Sequence, residues 1–260
     1  MRILIGDLTA MDRIRIVVNE GVHVGMHVYF LTKRQNDLAI AFDLKKKSRV
    51  KGSFALYSTN KMKNTLKRDV TLAENARMEM QTGVFIHGRL SIDETIALNG
   101  ENAQVSLGLL NVGDDGDHIR MHQIVKHLAP YTTSDIDNRL VASESSRLDY
   151  VIKGSIAKGM YQSVCHQSSR GLLLSEGSEI DADPQLLIDE YDVDASHGVA
   201  VGQIDEDQLF YLKSRGIDDA EAKRLIVMGY VRPFITALRD ESIGNRIKKR
   251  IMFKIKGVAS

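Results

Sequence analysis

The stretch Asp192-Val193-Asp194-Ala195-Ser196-His197-Gly198-Val199-Ala200-Val201-Gly202-Gln203-Ile204-Asp205-Glu206-Asp207-Gln208-Leu209-Phe210-Tyr211-Leu212-Lys213-Ser214-Arg215-Gly216 changes character in its middle. From Asp205 onward it reads as a helix. The Asp205 carboxylate suits the free amides of the first turn, and Gln208 stands at the reciprocal position of a capping box. Leu209, Phe210 and Leu212 form an apolar face, and Gly216 suits the left-handed residue that ends a helix. The device repeats at once. Asp218 is a cap with Glu221 three residues on, and Ala222, Leu225, Ile226 and Met228 recur at helical spacing. Pro233 suits the first turn of a further helix carrying Phe234 and Leu238. Ile243, Ile247 and Ile251 then recur every four residues on a basic background. A small helical subdomain over 205–260 follows.

Upstream of that switch, the chain is a series of short β-prone runs separated by Gly, Asn, Asp and Ser. Arg13–Val18, His27–Leu31, Leu38–Phe42, Gln104–Leu109, His122–His127 and Tyr150–Ile156 are examples. Many short strands at close spacing leave a sandwich, a barrel or a β-solenoid. No strict sequence repeat chooses among them. The absence of a convincing amphipathic helix over some 200 residues leans toward a solenoid spanning 1–204, with a β-sandwich as the competitor.

Composition excludes several classes. One cysteine, Cys165, cannot form an intramolecular disulfide or supply a four-cysteine metal site. With 35 Lys+Arg against 34 Asp+Glu, whole-chain charge gives no argument for nucleic acid or a membrane, and neither is expected as a partner. No window approaches the roughly 18 uncharged apolar residues of a membrane span, and Asp7 ends the first apolar run too early for a signal peptide. Cytoplasm is the expected location. The charge is unevenly placed, however. No Lys or Arg lies between Arg170 and Lys213, while Arg246, Lys248, Lys249, Arg250, Lys254 and Lys256 crowd the tail. This reads either as a polarised surface that orients partners or as solvated turns plus a cationic helix end.

The familiar catalytic patterns are missing: there is no P-loop, GxGxxG, GxSxG or HExxH. Gly113-Asp114-Asp115-Gly116-Asp117 reads as a turn, since it lacks the distal glutamate of a calcium loop. The pairs His23/His27 and His118/His122, and the neighbours Cys165-His166, lack the context of a ligand set. His197 is the exception, by its place between a strand and the first capped helix. It is a candidate soft metal ligand or proton carrier; alone among carboxylates, it reads more readily as structural. Gly198 beside it lets the backbone approach closely or take positive φ.

The same segment resembles the SufB/SufD family of iron–sulfur cluster assembly scaffolds. Upstream, His127-Leu128-Ala129-Pro130-Tyr131-Thr132-Thr133-Ser134 resembles that family's His–Thr-x-Ser block. Gln167 with Leu172-Leu173-Leu174-Ser175 and Pro184-Gln185-Leu186 resemble two further blocks. The blocks keep the family's order from residue 122 to about 230. The first 120 residues match only in general β character.

The resemblance implies a mainly β fold, a right-handed parallel β-helix followed by the small helical C-terminal subdomain. It implies a non-catalytic scaffold subunit with two kinds of partner: a SufB-like subunit or a second copy of the chain, and a SufC-like ABC ATPase docked on the helical part. Asp205, Gln208, Leu209, Phe210, Tyr211, Leu212, Arg215 and Leu225 are the expected ATPase contacts. The implied cargo is a transient iron–sulfur cluster at the subunit interface, with no permanently bound cofactor and His197 as its ligand or stabiliser. SufB-like members use a Cys and a Glu where this chain has Ser169 and Gly198, which points to the SufD arm. The usual Cys before Ser-His-Gly is Ala195 here, and Cys165 lies four residues before the SufB-type position. Many members carry a helical N-terminal domain, expected here to be absent or much reduced. A self-sufficient homodimeric scaffold is the alternative, and a carbohydrate-active solenoid enzyme a remote one.

Overall fold

The structure is a computed structural model that describes residues 2–5, 13–32, 37–58, 61–237 and 241–255. The described strands form two sheets. The first contains β1 (Arg2–Ile5), β3 (His23–Thr32), β5 (Arg49–Ser58), β7 (Arg77–Phe85), β9 (Gln104–Gly113), β11 (Thr133–Ala142), β13 (Ser163–Leu173) and β15 (Val193–Gln203), in that order. The second contains β2 (Arg13–Val18), β4 (Asp37–Leu44), β6 (Met62–Leu72), β8 (Gly88–Leu98), β10 (His118–His127), β12 (Arg147–Ile156) and β14 (Glu179–Ile188). Odd strands pair only with odd, even only with even. Every pairing is parallel, for example β9 with β11 and β10 with β12. A sandwich of antiparallel hairpins is thereby ruled out, and the chain is a β-solenoid whose every coil adds one strand to each sheet.

The coil length explains why no repeat is legible. From β5 onward the odd strands begin at residues 49, 77, 104, 133, 163 and 193, so a coil takes 27 to 30 residues. What repeats is backbone geometry. Lys47, Asn75, Asn102, Tyr131 and Gln162 stand at one turn position of successive coils, each with φ between 54° and 59°. Amides there donate to the next coil, as Lys47 N to Glu74 O at 2.9 Å and Tyr131 N to Tyr161 O at 3.0 Å. Asn tolerates the left-handed region through its short polar side chain, whereas Lys, Tyr and Gln do so at some cost.

Alternation sets the inside and outside. In β10, Ile119, Met121, Gln123, Val125 and His127 are buried, while the residues between them face out. Stacked in register, such positions fill the space between the sheets with aliphatic columns. One rung is polar. Arg68, Glu94 and Gln123 are register neighbours. Arg68 Nε donates to Glu94 Oε1, Gln123 Nε2 donates to Glu94 Oε2 at 2.6 Å, and Arg68 Nη1 reaches Thr82 Oγ1 of the opposite sheet at 3.1 Å. The Arg68 guanidinium also lies 5.3 Å from the Phe54 ring centroid.

Among the described residues, three helices follow the last strand: α1 (Glu206–Ser214), α2 (Asp219–Ala237) and α3 (Glu241–Lys254). The Asp205 carboxylate accepts from Asp207 N and Gln208 N, and Gly216 has φ +84°, as the capping signals required. Asp218 Oδ1 accepts from Glu221 N at 2.8 Å. The expected new helix at Pro233 does not form, because Pro233 lies inside α2. Val227 and Val231 before it and Phe234 after it are all buried. Their burial outweighs the roughly 3 kcal/mol that an internal proline costs a helix. Leu238 lies outside the described residues.

The helices share a core with the solenoid. Val227, Val231, Phe234, Ile247, Ile251 and Ile255 pack on Phe85, Leu110, Val112, Val141 and Leu172, near the C-terminal ends of the odd strands. The basic end of α3 is only partly a solvated surface. Arg250 Nη2 donates to Ser58 O at 2.6 Å. Lys254 is fully buried and donates to Ile86 O at 2.9 Å and to the Asp117 carboxylate. Asp117 also accepts from Gly88 N and Asp114 N, so the Gly113–Asp117 loop is a turn with a structural carboxylate.

The lumen ion pair yields a test. Side chains of Arg68 and Glu94 are 3% and 1% exposed. Arg68→Met is expected to destabilise the chain by about 3–5 kcal/mol, since it strands a buried carboxylate. Arg68→Met combined with Glu94→Leu and Gln123→Leu should recover most of that loss, read as midpoints in urea.

Candidate functional site

The solenoid ends at β14 and β15, and no described strand pairs with their outer edges. The sequence segment singled out for its chemistry is therefore the last rung of the larger sheet. Register places Ser134, Cys165 and Ala195 in one inward column, Ile136, Gln167 and His197 in the next, and Asn138, Ser169 and Val199 in a third. Ser134, Cys165, Gln167 and Ser169 are buried because another coil covers them. His197 occupies an inward-facing position but is exposed, because no coil follows. Val199 and Val201, 42% and 39% exposed, extend the same uncovered face, and Ile180 and Ala182 of β14 are only partly buried.

Beneath His197 the lumen is tightly filled. The Gln167 amide, with its oxygen toward Gly154 N (2.8 Å) and its nitrogen toward Ile152 O (3.3 Å), bridges the two sheets. A Cβ at Gly154 would meet Cys165 Sγ at 2.6 Å and the Gln167 amide at 2.8 Å, so this position requires glycine. Burial pushes the Cys165 thiol pKa up, keeping it protonated. On the outer face, His166 Nδ1 lies 2.7 Å from Ser196 Oγ and His166 Nε2 lies 3.6 Å from Asp194 Oδ2. This pair across β13 and β15 went unread in the sequence, since its members are about thirty residues apart.

One coil back, His127 is wholly buried. Its Nδ1 lies 2.8 Å from Thr132 Oγ1 and its Nε2 2.9 Å from Ser134 Oγ. Thr132 spends its own hydroxyl proton on Ala129 O at 3.0 Å, so Thr132 accepts from His127 Nδ1–H and Nε2 accepts from Ser134. Burial lowers the His127 pKa from 6.5 to about 4, and the ring is neutral at physiological pH.

The expected partner residues cluster on the first helix. Helix α1 has no buried residue. Phe210 and Tyr211 are 73% and 57% exposed, and Leu225 on α2 is 45% exposed. Leu209 and Leu212 are half-buried, Gln208 and Asp205 exposed. The Arg215 guanidinium lies 5.3 Å from the Tyr211 ring centroid. Asp205 is occupied as the helix cap, and the reciprocal Gln208 side-chain bond is not among the described hydrogen bonds. Among the described residues, no group of three or more His, Cys, Asp or Glu could hold a metal ion. His197 therefore belongs to no such group of three among the described residues.

Residues 4–230 match the family model described as SUF system FeS cluster assembly, SufBD core domain. The chain belongs to the SufB/SufD family. It is 28% identical to the iron-sulfur cluster assembly protein SufD of Escherichia coli over 191 residues, which is 74% of this chain and 45% of that protein. It is 30% identical to SufD of Bacillus subtilis over 190 residues (73% of this chain, 44% of the relative). With SufB of Bacillus subtilis it shares 29% over 216 residues (80% and 45%). The chain therefore spans a little under half the length of these relatives. No helix of the described residues is long and apolar enough to cross a membrane.

The SufB/SufD motifs now have physical roles. The His–Thr-x-Ser block is a buried, neutral hydrogen-bond cluster that ties a turn to the lumen. Ser169, at the SufB-type cysteine position, is 2% exposed and lies two residues along β13 from Gln167. Gly198 needs correction: its φ is not positive, and a Cβ there would meet nothing within 4 Å. It faces outward in open space and is not required by the backbone.

Two measurements follow. Gly198→Ala is expected to leave stability unchanged or raise it by up to about 1 kcal/mol, by restricting the unfolded chain; a fall in the urea midpoint would restore a backbone role. For His127, the unfolded ring takes up a proton below about 6.5 and the folded ring only near 4. The stability carried by the neutral ring is full above pH 6.5 and is lost as pH falls toward 4, by about 3 kcal/mol in all. Urea unfolding between pH 7 and 4.5 should show this slope, and His127→Gln should flatten it.

Proposed function

We propose that this chain is a SufD-type scaffold subunit of an iron–sulfur cluster assembly complex, non-catalytic in itself. The observation that carries the reading is the open end of the solenoid. Among the described residues no strand pairs with the outer edge of β15, which carries Val199, Val201 and the uncovered His197. Exposed, long, apolar edges are templates for a second chain. A partner end laid against them would cover the valines and bring its own ligands to His197. A nascent cluster held there would take the histidine from this chain and its thiolates from the other, because Cys165 is locked in the lumen. Ser169 and Gly198, in place of a cysteine and a glutamate, favour a SufB-like subunit as that partner. A second copy of the chain is the alternative, since backbone edge pairing reads no sequence. Family membership leaves the polysaccharide-enzyme reading without support.

The helical part is the proposed dock for a SufC-like ABC ATPase. A nine-residue helix with no buried side chain is marginal by itself and gains from a partner. Phe210, Tyr211, Arg215 and Leu225 supply exposed aromatic, cationic and aliphatic anchors of the kind that dominate interfaces. Because α2 and α3 are packed on the solenoid's flank, ATP-driven movement of the dock would pass to the open end through one shared core.

Co-expression with a SufB-like protein and a SufC-like ATPase tests this. Retention of both is expected, and Phe210→Asp with Tyr211→Asp should release the ATPase while leaving the melting temperature within a few degrees. His197→Ala should lower the cluster absorbance of the anaerobically reconstituted complex without loss of assembly. If neither partner is retained, the scaffold reading fails. If the lone chain is a dimer that reconstitutes a cluster by itself, the homodimeric alternative holds.

A further inference from the structure

The turn ridge that links even to odd strands changes its chemistry along the solenoid. Its paired residues are Lys46-Lys47, Glu74-Asn75 and Glu101-Asn102 in earlier coils, then Pro130-Tyr131, Tyr161-Gln162 and Tyr191-Asp192. Between two of the earlier coils the charges pair, with Lys46 Nζ 2.8 Å from Glu74 Oε2. In the last three the ridge is aromatic and exposed. Tyr131, Tyr161 and Tyr191 are 41%, 43% and 102% exposed, with Leu128 beside them at 47%. The Tyr131 and Tyr161 rings meet edge to face, with centroids 5.3 Å apart. Tyr131 also occupies the left-handed turn position (φ 59°) that Asn75 and Asn102 fill in earlier coils. A large ring at that position, left in water, is the costlier choice on both counts.

The carboxylates of this ridge are held by neutral donors. Glu190 accepts from Gly159 N at 2.8 Å and Tyr191 N at 2.9 Å, and these backbone bonds hold its pKa below the usual range. Asp192 accepts from the Gln162 amide at 2.6 Å. Asp189 is exposed alongside. Lys158 is the nearby cation, and none occurs in the sequence from 171 to 212. Carboxylates held by backbone and amide donors, on the same turns as three exposed tyrosines, form a surface complementary to guanidinium groups: the rings offer cation–π contact and the carboxylates ion pairing.

We propose that this tyrosine–carboxylate ridge, separate from α1 and set on the turns rather than on the uncovered lumen face at the open end, is a docking surface for an arginine-bearing segment of a partner protein. The assignment does not depend on the scaffold role. A hexa-arginine peptide serves as the probe, followed through the tyrosine fluorescence of a chain that lacks tryptophan. The wild-type chain should bind it more tightly than hexa-lysine, because only guanidinium stacks on the rings. Tyr131→Asn with Tyr161→Asn, the first placing at 131 the residue type found at 75 and 102, should weaken binding about tenfold or more while keeping the fold. Glu190→Gln with Asp192→Asn should weaken it too and lessen its salt dependence. Equal affinity for the two peptides, or unchanged binding by the tyrosine variants, would reduce the ridge to unspecific electrostatics and overturn the proposal. A change in the solution mass of the tyrosine variants would make the ridge a self-contact and overturn it equally.

Discussion

The coil-to-coil backbone hydrogen bond, repeated in register along two parallel sheets, is the interaction on which the rest of this protein depends. It places each residue directly over one 25 to 32 positions away, and so turns a chain without a legible repeat into stacked columns. It also has an unavoidable consequence. A sheet grown by adding coils must finish on a strand whose outer edge has no partner in the same chain. Here that strand is β15, and the residue left facing inward without a cover is His197. The candidate site is thus a product of how the fold ends.

The same register allows polar residues inside a narrow apolar lumen. Arg68, Glu94 and Gln123 are tolerated because each lies one rung from its partner, and Thr82 closes the set from the opposite sheet. His127 is tolerated because two hydroxyls satisfy both ring nitrogens. Each arrangement costs desolvation and returns specificity, since a one-coil slip would leave charges buried and unpaired. The flank follows a similar logic. Lys254 and Asp117, both fully buried, fix where α3 sits on the solenoid, while the apolar contacts of Val227, Val231 and Ile251 supply most of the adhesion.

How much of this was legible depended on range. Caps at Asp205 and Asp218 and the left-handed Gly216 were readable because donors and acceptors lie within three residues. Strands such as Arg13–Val18 and His122–His127 showed their alternation. Strands β6, β8 and β11 did not, since Arg68, Asn64, Glu94 and Asn138 point inward and break the apolar pattern. Their compensation lies a full coil away. Pro233 misled for a related reason: a local rule about helix starts was overridden by burial on both sides of the proline. The basic tail misled in part, because Arg250 and Lys254 are spent on contacts with the solenoid.

The sequence by itself determined that the chain is β-rich and then helical, that the switch falls near residue 205, that no catalytic motif or multi-cysteine site is present, and which family its motif blocks resemble. These follow from composition, from local capping chemistry and from the order of short blocks, none of which needs a distant partner. Only the tertiary structure decided that the strands stack in parallel, that Cys165 is sealed in the lumen while His197 is uncovered, that α1 buries no residue while α3 is pinned, and that three tyrosines thirty residues apart line one ridge. Those outcomes depend on which residues the register superimposes, and register is set by the summed fit of every coil on its neighbours.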